Sequence, residues 1–464
     1  MTVSLAVGSV AEAQDKGWRK EFHDGSYTLF IENDAAWSVE SWDAENCRKV
    51  RPIFKNATSV VVEEGVTRLD GSSLCATGYT LDLSKAKGLK LIEFQGAHEV
   101  SLTSSVELPE VERIDAQGFW RVQGDSVALP KVKYIGDGWN TGAFSEAKLS
   151  YISLPKVRYI GCSTFEHAQI NSILLSDCLQ HIGDDAFKDC SISSILLSDS
   201  LQHIGDDAFS YSSISSILLP DSIKHIGDWA FYYSAVSSIK IPAGLEYLGR
   251  NAFGSCRNLR SVELPEGMEE IPIGLFAGCD SLCAETGKLV LPPNVKKIGD
   301  DAFLACLSIK YFVLPASLDT VGMGVFGDHY VSSAGYHYNR DYIRVDCYAL
   351  DPPYGYHFRQ DGYPKTKGDL YVPAESVEKY KNSPWAEDFN IYALDPKDNP
   401  YTAIRDVDGN KLKVSVRGGV VSVEGVDEFD VYDVSGRKMP ASRPLPAGVY
   451  VVTTDTGSER VVVK

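Results

Sequence analysis

The stretch HIGDDAFKDCSISSILLSDSLQ runs from His181 to Gln202, and HIGDDAFSYSSISSILLPDSIK follows it from His203 to Lys224. Sixteen of the 22 positions are identical in the two stretches. A catalytic site needs its residues once, whereas a stacked surface needs them at a fixed interval. The doubling therefore predicts a repeat protein in which each unit contacts its neighbours.

A phenylalanine marks one position of the repeat. Successive phenylalanines lie 22, 22, 22, 22, 23, 27 and 23 residues apart, and they are Phe165, Phe187, Phe209, Phe231, Phe253, Phe276, Phe303 and Phe326. Phe144 and Phe119 extend the series upstream with irregular steps. A nearly constant period with an occasional insertion predicts a solenoid, in which these rings form an interior column.

Each repeat has a strand-like part and a corner-like part. The first part, SSILLP and its variants, places apolar residues two apart, which predicts a short strand with one buried face. Stacked strands would form a parallel sheet with about 4.8 Å between neighbours. In the second part, IGDDAF, the glycine allows a corner. The aspartates after it are expected to cap a short helical turn; they are Asp184, Asp206, Asp228 and Asp300.

These repeats resemble the BspA-like leucine-rich repeats, whose units read LxxIxLPxxVxxIGxxAFxxC. The motif recurs at least seven times between about Tyr151 and Phe326, although IPIGLF and VGMGVF depart from it. LFIENDAAWSVESW and VVVEEGVTRL resemble the N-terminal cap of such proteins, and Leu370 to Leu394 resembles their closing segment. The resemblance implies an α/β solenoid, whose coils each have a short parallel strand and a turn or short helix.

The character of the sequence changes after Leu394. LDPKDNPY is polar and contains proline, as a linker does. Alternating strands with glycine-bearing turns then predict a small antiparallel β-sandwich. VYDVSGRKM at Val431 and LPAGVYVV at Leu445 resemble the C-terminal secretion-tail domain of type IX-exported bacterial proteins. That resemblance implies export across the outer membrane.

The amino terminus also indicates export. Val3 to Val10 is apolar, and the following Ala-Glu-Ala fits an A-x-A cleavage site, so this stretch resembles the rear of a signal peptide. The alternative is a flexible, slightly apolar terminus. Both ends of the chain predict an extracellular or outer-membrane surface location.

Six segments are predicted along the chain. They are a signal-peptide remnant at 1–13, an N-terminal cap at 14–58, the leucine-rich repeat solenoid at 59–328, a tyrosine-rich insertion with a C-terminal cap at 329–394, a linker at 395–403 and a β-sandwich secretion or sorting-like domain at 404–464.

The composition excludes two classes of partner. Lysine and arginine total 45 against 63 aspartates and glutamates, which gives a net charge of −18. A nucleic-acid partner would require a basic stripe, so none is predicted. No run of about 18 apolar residues occurs, and no transmembrane segment is predicted.

Metal, cofactor and catalytic sites are not predicted. His181, His203 and His225 share one repeat position and should form a column, but parallel neighbours along a ladder rarely converge on a metal ion. The paired aspartates lack the G-G-x-G-x-D period of calcium solenoids. There is no G-x-S-x-G elbow, H-E-x-x-H helix or phosphate-binding loop. The chain is therefore interpreted as a non-enzyme.

Four cysteines share a position three residues after the phenylalanine. They are Cys190, Cys256, Cys279 and Cys306, and Ser212 and Ser234 occupy the same position in other repeats. Small side chains packed under the next coil explain this pattern, since a free cysteine behaves as a small buried hydrophobe. The alternative is disulfide bridging among Cys256, Cys279 and Cys306.

The outward side of the strands is the first candidate binding surface. Its members alternate with the buried residues, and they are Leu174, Leu196, Leu218, Lys240, Glu263, Val290 and Tyr311. The three leucines would form an exposed apolar stripe, which on a soluble protein commonly marks a partner site. Two alternatives stay open: a neighbouring segment covers the stripe, or duplication copied it without selection.

The tyrosine-rich insertion is the second candidate binding surface. Within it, the proposed binding residues are Tyr336, Tyr338, Tyr354 and Tyr356. Tyrosine offers an apolar face with a polar tip, which suits sugars and protein surfaces alike. The alternative is that these rings close the open end of the solenoid.

The predicted function is adhesion or protein recognition through the strand face. The family resemblance implies a protein partner, such as host extracellular matrix or another cell surface. A rival hypothesis is a carbohydrate-binding accessory protein of a glycan-uptake system, which would use the tyrosine-rich insertion. A third is an enzyme with an unrecognised site.

Overall fold

The structure is a computed structural model of the 464-residue chain. It describes residues 18–23, 26–31, 57–69, 79–136, 142–327, 343–356, 358, 367–395 and 400, and, in the tail, 414–417, 420–423, 429–433, 438–439, 448–454 and 457–463. The chain forms two compact units, residues 1–203 and 204–464.

The first unit contains fifteen described strands. They are β1 Trp18–His23, β2 Ser26–Ile31, β3 Ala57–Val62, β4 Arg68–Leu69, β5 Thr80–Asp82, β6 Leu91–Ile92, β7 Ser101–Leu102, β8 Val106–Glu107, β9 Arg113–Ile114, β10 Gln123–Ala128, β11 Tyr134–Ile135, β12 Lys148–Leu154, β13 Tyr159–Ile160, β14 Gln169–Leu175 and β15 His181–Ile182. A further strand, β16 His203–Ile204, begins at the last residue of this unit.

Two sheets build each coil of the first unit. One sheet, called the strand face here, has the order β1-β2-β3-β5-β7-β10-β12-β14, with β8 beside β10. The other, called the short-strand sheet, runs β4-β6-β9-β11-β13-β15. Apart from the antiparallel pair β1–β2, the described pairings of this unit are parallel.

The second unit repeats this plan and adds helices and a tail. Its strands are β17 His225–Ile226, β18 Ser238–Lys240, β19 Tyr247–Leu248, β20 Ser261–Glu263, β21 Glu270–Ile271, β22 Lys288–Val290, β23 Lys297–Ile298, β24 Tyr311–Leu314, β25 Thr320–Val321, β26 Arg344–Cys347, β27 Gly368–Val372, β28 Phe389–Ala393, β29 Val414–Arg417, β30 Val420–Val423, β31 Asp430–Asp433, β32 Lys438–Met439, β33 Gly448–Thr454 and β34 Gly457–Val463. A 3₁₀ turn, Ala374–Ser376, precedes α1 Val377–Lys381 and α2 Trp385–Asp388.

Both sheet types continue in the second unit. The strand face consists of β18–β20 and of the five-stranded sheet β22-β24-β26-β27-β28. The short-strand sheet consists of the pair β17–β19 and of β21-β23-β25. Parallel strands repeated at the interval of the coil confirm the predicted leucine-rich repeat solenoid.

The phenylalanines form the predicted interior columns. In the first unit the rings of Phe119, Phe144, Phe165 and Phe187 stack with centroids 5.0 to 5.5 Å apart. In the second unit the centroids of Phe209, Phe231, Phe253, Phe276 and Phe303 are 5.1 to 6.1 Å apart. All of these side chains are fully buried. Each ring therefore packs on equivalent rings of adjacent coils, which no single coil could do alone.

The IGDDAF corners differ from the expected capped helical turn. They are hydrogen-bonded turns, and the helices of the described residues all lie between 374 and 388. Two of the aspartates accept hydrogen bonds from the following coil. Asp206 Oδ1 accepts one from the amide of Asp228 at 2.7 Å, and Asp300 Oδ1 accepts one from the amide of Met323 at 2.8 Å. These carboxylates thus cap backbone amides between coils rather than within one.

The corners also form a ladder of backbone hydrogen bonds. The amide of Phe165 donates to the carbonyl of Ala186 at 2.7 Å, and the amide of Phe209 donates to Ala230 at 2.6 Å. Many corners place two residues, four positions apart, in the left-handed region, for example Asp207 and Tyr211 with φ of 53° and 55°. The corner is therefore a regular third face of the coil.

The cysteine column is buried, as predicted. Cys256 donates its thiol to the carbonyl of Phe231 at 3.0 Å, Cys279 to that of Phe253 at 3.0 Å, and Cys306 to that of Phe276 at 3.1 Å. Burial raises the pKa of the Cys190 thiol to about 12 and that of Cys256 to about 11. The four cysteines are free thiols in the structure, so the alternative of bridging is not observed.

An aromatic cap closes the phenylalanine column of the second unit. Trp385 is fully buried, and its Nε1 donates to the carbonyl of Pro353 at 3.0 Å. Its ring lies 6.2 Å from Phe326 and 4.1 Å from Phe358. The segment from Leu370 to Leu394 thus covers the last ring of the column, as the resemblance implies.

The tail contains antiparallel strands. β29 pairs with β30, and a four-stranded sheet has the order β32-β31-β33-β34. Val421, Val431 and Val452 are buried. Closure of these sheets into a sandwich stays a prediction, as do the six segment boundaries. The signal-peptide stretch at 1–13 and most of the predicted linker at 395–403 lie outside the described residues.

Candidate functional site

The outward positions of the strand face differ from coil to coil. In the first unit, Leu174 on β14 exposes 39% of its surface, whereas Leu196 is half-buried. In the second unit, Leu218 is also half-buried. The inward neighbours Ile173, Ile195 and Ile217 are buried, which is the alternation expected of a strand with one core-facing side.

Further along the second unit the outward positions become charged. Lys240 Nζ on β18 lies 3.0 Å from Glu263 Oε1 on β20, and both side chains are more than half exposed. Val290 on β22 is half-buried and pairs in parallel register with Val313 on β24. Beyond Leu218 the outward positions of this unit are thus charged or half-buried, and a binding role for the predicted leucine stripe stays a prediction.

The last described coils of the strand face carry a tyrosine–arginine cluster. It is defined by Lys288, Tyr311, Arg344, Asp346, Tyr371 and Tyr392. Parallel register places Tyr311 of β24 beside Arg344 of β26, and Asp346 of β26 beside Tyr371 of β27. Tyr371 in turn pairs with Tyr392 of β28. Neighbouring strands thus bring these side chains together on one face of the sheet.

Asp346 holds the cluster together. Its carboxylate is fully buried although it lies on the outward side of the sheet. Arg344 donates to it from Nε at 2.8 Å and from a second guanidinium nitrogen at 3.1 Å, and Tyr311 Oη donates at 2.5 Å. Three hydrogen bonds, two of them in the bidentate arginine geometry, compensate the buried charge.

The guanidinium of Arg344 lies between two tyrosine rings. Its Cζ is 4.9 Å from the centroid of Tyr311 and 4.3 Å from that of Tyr371. On the neighbouring strand β22, Lys288 Nζ lies 4.6 Å from the centroid of the same Tyr311 ring. Cations at these distances interact favourably with the ring quadrupole, so the side chains are held in one arrangement before any partner binds.

The electrostatics of the cluster keep Tyr311 protonated and Arg344 charged. Burial raises the pKa of the Tyr311 hydroxyl, and its hydrogen bond to Asp346 raises the pKa further. The hydrogen bond to Asp346 raises the pKa of Arg344. At neutral pH the tyrosine therefore remains a donor and the arginine a cation, which suits recognition and not proton transfer.

An exposed edge remains on the cluster. The rings of Tyr371 and Tyr392 stack with centroids 5.2 Å apart, and Tyr392 is 44% exposed. Beside the cluster, Val313, Tyr348 and Leu394 pack together against Tyr311 and Tyr371. Tyr392, on the last strand of this sheet, is thus the exposed member of the cluster, through which a partner would first be contacted.

Of this cluster, only Tyr311 was among the binding residues predicted from the sequence. The signal for the others was present as alternation, since Arg344 and Asp346 are two apart in RVDCYAL and Asp369 and Tyr371 are two apart in GDLYV. The seventeen residues between Phe326 and Arg344 interrupt the repeat, however, so the register of the later strands could not be read from the period.

The tyrosine-rich insertion is divided by the structure. Tyr336 and Tyr338 lie outside the described residues. Tyr354 is 73% exposed and forms a parallel bridge to Thr320 of the short-strand sheet, and Tyr356 is 49% exposed. Tyr354 therefore extends the short-strand sheet and is not part of the strand face. The use of this insertion in sugar binding stays a prediction.

The histidines stack as columns within each unit. The rings of His181 and His203 have centroids 4.3 Å apart, and Tyr159 stacks on His181 at the same distance. In the second unit, His225 stacks on Tyr247 at 4.6 Å. Within the part of the chain that the structure describes, no group of three or more His, Cys, Asp or Glu side chains is arranged to hold a metal ion.

The repeats match a family model. The description of that family is "BspA type Leucine rich repeat region", with six copies matched over residues 94–214, 134–259 and 202–332. Together these matches extend from 94 to 332, just over half of the 464-residue chain. The chain belongs to the BspA-type leucine-rich repeat family. The resemblance carried by the IGxxAF corners is thereby confirmed.

Solved structures of bacterial leucine-rich repeat proteins are similar to this chain. A leucine-rich repeat protein from Eubacterium ventriosum is 16% identical, with a TM-score of 0.41 over 67% of this chain and 86% of that one. A leucine-rich repeat protein from Bacteroides ovatus is 23% identical, with a TM-score of 0.35 over 53% and 63%. The pneumococcal vaccine antigen PcpA is 14% identical, with a TM-score of 0.36 over 84% and 99%.

Family membership rests on the repeat match, because these TM-scores all lie below 0.5. No curated protein matches the chain. Among the described residues, no helix is long and apolar enough to cross a membrane.

Proposed function

We propose that this BspA-type leucine-rich repeat protein is displayed on, or secreted from, a bacterial cell and recognises a protein partner through its strand face. The observation that carries the proposal is the tyrosine–arginine cluster, with Arg344 fixed between Tyr311 and Tyr371 above the buried Asp346. No catalytic role is proposed for the cluster.

The composition of the cluster supports a protein partner. Binding hot spots are enriched in tyrosine, tryptophan and arginine, because these side chains bury large areas and still form hydrogen bonds. The leucine-rich repeat family is itself associated with protein binding. A matrix protein or another cell surface is the partner that the family resemblance favours.

The rigidity of the cluster supports tight recognition. Arg344 and Tyr311 are already hydrogen-bonded to Asp346, and the strands that carry them are paired in register. Immobilising a free, rotamer-rich side chain costs about 0.5–1.5 kcal/mol on binding. Side chains held in place by the fold avoid most of that cost.

The location rests on the two ends of the chain. The apolar stretch before Ala11-Glu12-Ala13 resembles a signal peptide, and VYDVSGRKM resembles a type IX secretion tail. A solenoid exported by this route would present its strand face to host matrix or to neighbouring cells. Fractionation of cells, with the protein found outside the cytoplasm, is the expected outcome.

The experiment measures binding of the full chain to a surface coated with solubilised extracellular-matrix extract. Tyr392→Ala truncates the exposed edge of the cluster, and Lys288→Glu reverses the charge beside the Tyr311 ring. Both variants leave the Arg344–Asp346 pair intact. We expect each variant to weaken binding by tenfold or more, or about 1.4 kcal/mol.

The matched control is Met323→Ala, which truncates another exposed side chain of the same unit, on a corner. It should bind as the unmodified chain does. Equal binding by all three variants, or no binding by the unmodified chain, would show that the cluster is not a recognition site for matrix proteins.

A further inference from the structure

A second exposed aromatic surface lies on the corners of the second unit. It consists of Tyr211, Trp229 and Tyr233, which expose 48%, 37% and 39% of their surfaces. The rings of Tyr211 and Tyr233 stack with centroids 5.3 Å apart, and Tyr232 lies edge-on to Tyr211 at 5.7 Å. We call Tyr211, Trp229 and Tyr233 the corner patch. The corner patch lies on the corner turns of the coils, and its residues are not part of the strand face.

The backbone of the corner patch is unfavourable for aromatic residues. Tyr211, Trp229 and Tyr233 have φ of 55°, 53° and 58°, which is the left-handed region. Glycine, asparagine and aspartate tolerate this region best, whereas a bulky side chain there is an outlier that calls for an explanation. The turn geometry therefore does not account for the three aromatic rings.

The coils next to the corner patch carry smaller residues that the turn prefers. The position of Trp229 is occupied by Asp207 one coil earlier and by Asn251 one coil later, and both have positive φ. The position of Tyr233 is occupied by Ser255 in the next coil and by Gly278 in the one after. The aromatic residues thus stand where the neighbouring coils carry smaller ones, while corners elsewhere in the chain also place large polar residues at positive φ.

The duplicated sequence diverges at the same positions. The first corner reads HIGDDAFKDC, the second reads HIGDDAFSYS, and the third reads HIGDWAFYYS. The histidine, glycine, first aspartate, alanine and phenylalanine are constant, while the changes introduce Tyr211, then Trp229, Tyr232 and Tyr233. These residues differ between near-copies, face solvent and occupy a backbone conformation that is unfavourable for bulky side chains. Together these features point to a binding role.

Polar groups surround the corner patch. The guanidinium of Arg257 lies 5.3 Å from the centroid of the Tyr233 ring. The guanidinium of Arg250 lies 6.0 Å from the Trp229 ring and is bonded to Asp228. Asp207 and Asn251 flank Trp229 in the neighbouring coils. Aromatic faces with hydrogen-bonding groups at their edges match a sugar ring, which has an apolar CH face and a rim of hydroxyls.

The size and charge of the corner patch narrow the class of ligand. Three large aromatic residues that each expose less than half of their surface offer on the order of 300 Å², compared with about 800 Å² per partner in a standard protein interface. The aspartates of the adjacent corner positions, in a chain of net charge −18, disfavour a polyanion. We propose that the corner patch binds a neutral oligosaccharide.

The test uses the full chain and a panel of neutral hexasaccharides of glucose, mannose, xylose and galactose. Binding is measured by calorimetry and by the change in tryptophan fluorescence. The variants Trp229→Asn and Tyr233→Ser introduce the residues that the next coil carries at these positions. Both variants are therefore compatible with the fold.

We expect the unmodified chain to bind at least one hexasaccharide, and each variant to bind it at least tenfold more weakly. Thermal unfolding should show a midpoint that is unchanged or higher in the variants, because a left-handed position becomes more favourable. A purely structural role for the rings would instead lower the midpoint. The strand-face variant Tyr392→Ala should keep its affinity for the hexasaccharide, which separates this proposal from the proposed function.

Two results would overturn the proposal. One is the absence of binding to every hexasaccharide of the panel. If Trp229→Asn then weakens binding to matrix protein, the corner patch is a protein-binding site and not a sugar-binding site. The other is hexasaccharide binding that both variants retain at full affinity.

Discussion

The phenylalanine column and the strand face are built from the same coils, yet they differ in how they vary. Phe209, Phe231 and Phe253 are the same residue in three successive coils and are fully buried. The outward strand-face positions of the same coils are Leu218, Lys240 and Glu263. The interior is constant because each ring must fit the ring below it, whereas the outward positions have no such constraint. Repetition thus specifies the fold, and variation specifies what the surface can bind.

The largest expected effect comes from breaking the interior. Phe209→Ala removes a ring that stacks on Phe231 with centroids 5.1 Å apart. We expect a loss of about 3–5 kcal/mol in the free energy of unfolding, because a large cavity remains between coils that cannot collapse. The loss is measured by comparing the urea-induced unfolding of the variant and the unmodified chain.

The matched control is Phe94→Ala, since Phe94 is 44% exposed. It should change stability by less than about 0.5 kcal/mol. Similar losses in both variants would remove the distinction between the constant interior and the variable surface.

A smaller effect is expected where a strand-face group is itself buried. Arg344→Ala leaves the carboxylate of Asp346 without its bidentate partner, and that carboxylate is fully buried. We expect a loss of about 2–3 kcal/mol, less than for a fully buried pair because the arginine is partly exposed. Unfolding by urea gives the value.

A double-mutant cycle with Asp346→Ala separates the pair from its surroundings. The double variant should be more stable than Arg344→Ala alone, since no unpaired charge remains. Additive losses would mean that Arg344 and Asp346 act independently, and the cluster would then not be a preorganised unit.

A pH-dependent effect is expected where one corner caps the next. Asp228 accepts hydrogen bonds from Tyr247 Oη at 2.8 Å and from the Arg250 amide at 2.9 Å. Burial acts to raise the pKa of Asp228, but these hydrogen bonds outweigh it and lower the pKa below its ordinary value of 3.8. A lowered folded-state pKa contributes stability above the unfolded-state value, and that stability disappears as the pH falls through the folded-state value.

Asp228→Asn should therefore cost about 1–2 kcal/mol at pH 7. The difference from the unmodified chain should shrink as the pH falls below 3.8, the ordinary value for this carboxyl. Urea unfolding at pH 7, 5 and 3 tests this. A penalty that stays constant across the three pH values would show that the charge of Asp228 plays no part in joining the corners.

The comparison also explains which features the sequence could predict. The phenylalanine and cysteine columns follow from the period alone, because burial in a solenoid depends on position in the repeat. The predicted role of Asp206 was wrong in detail. An aspartate that caps a helical turn and one that accepts a hydrogen bond from the next coil occupy the same place after a glycine, so the sequence does not distinguish them. The tyrosine–arginine cluster follows an interruption of the repeat, so its contacts depend on strand register that no period encodes.

The smallest expected effect is at an exposed pair of the strand face. Lys240 and Glu263 are 3.0 Å apart, and their side chains are 56% and 60% exposed. Lys240→Ala should cost no more than about 0.5 kcal/mol, because solvent screens the attraction and both side chains lose conformational freedom in making it. In 1 M salt, where the Debye length is about 3 Å, the cost should vanish. A loss above about 2 kcal/mol that persisted in salt would mean that outward positions of β18 and β20 are part of the folding unit. Their change from coil to coil would then reflect packing and not partner choice.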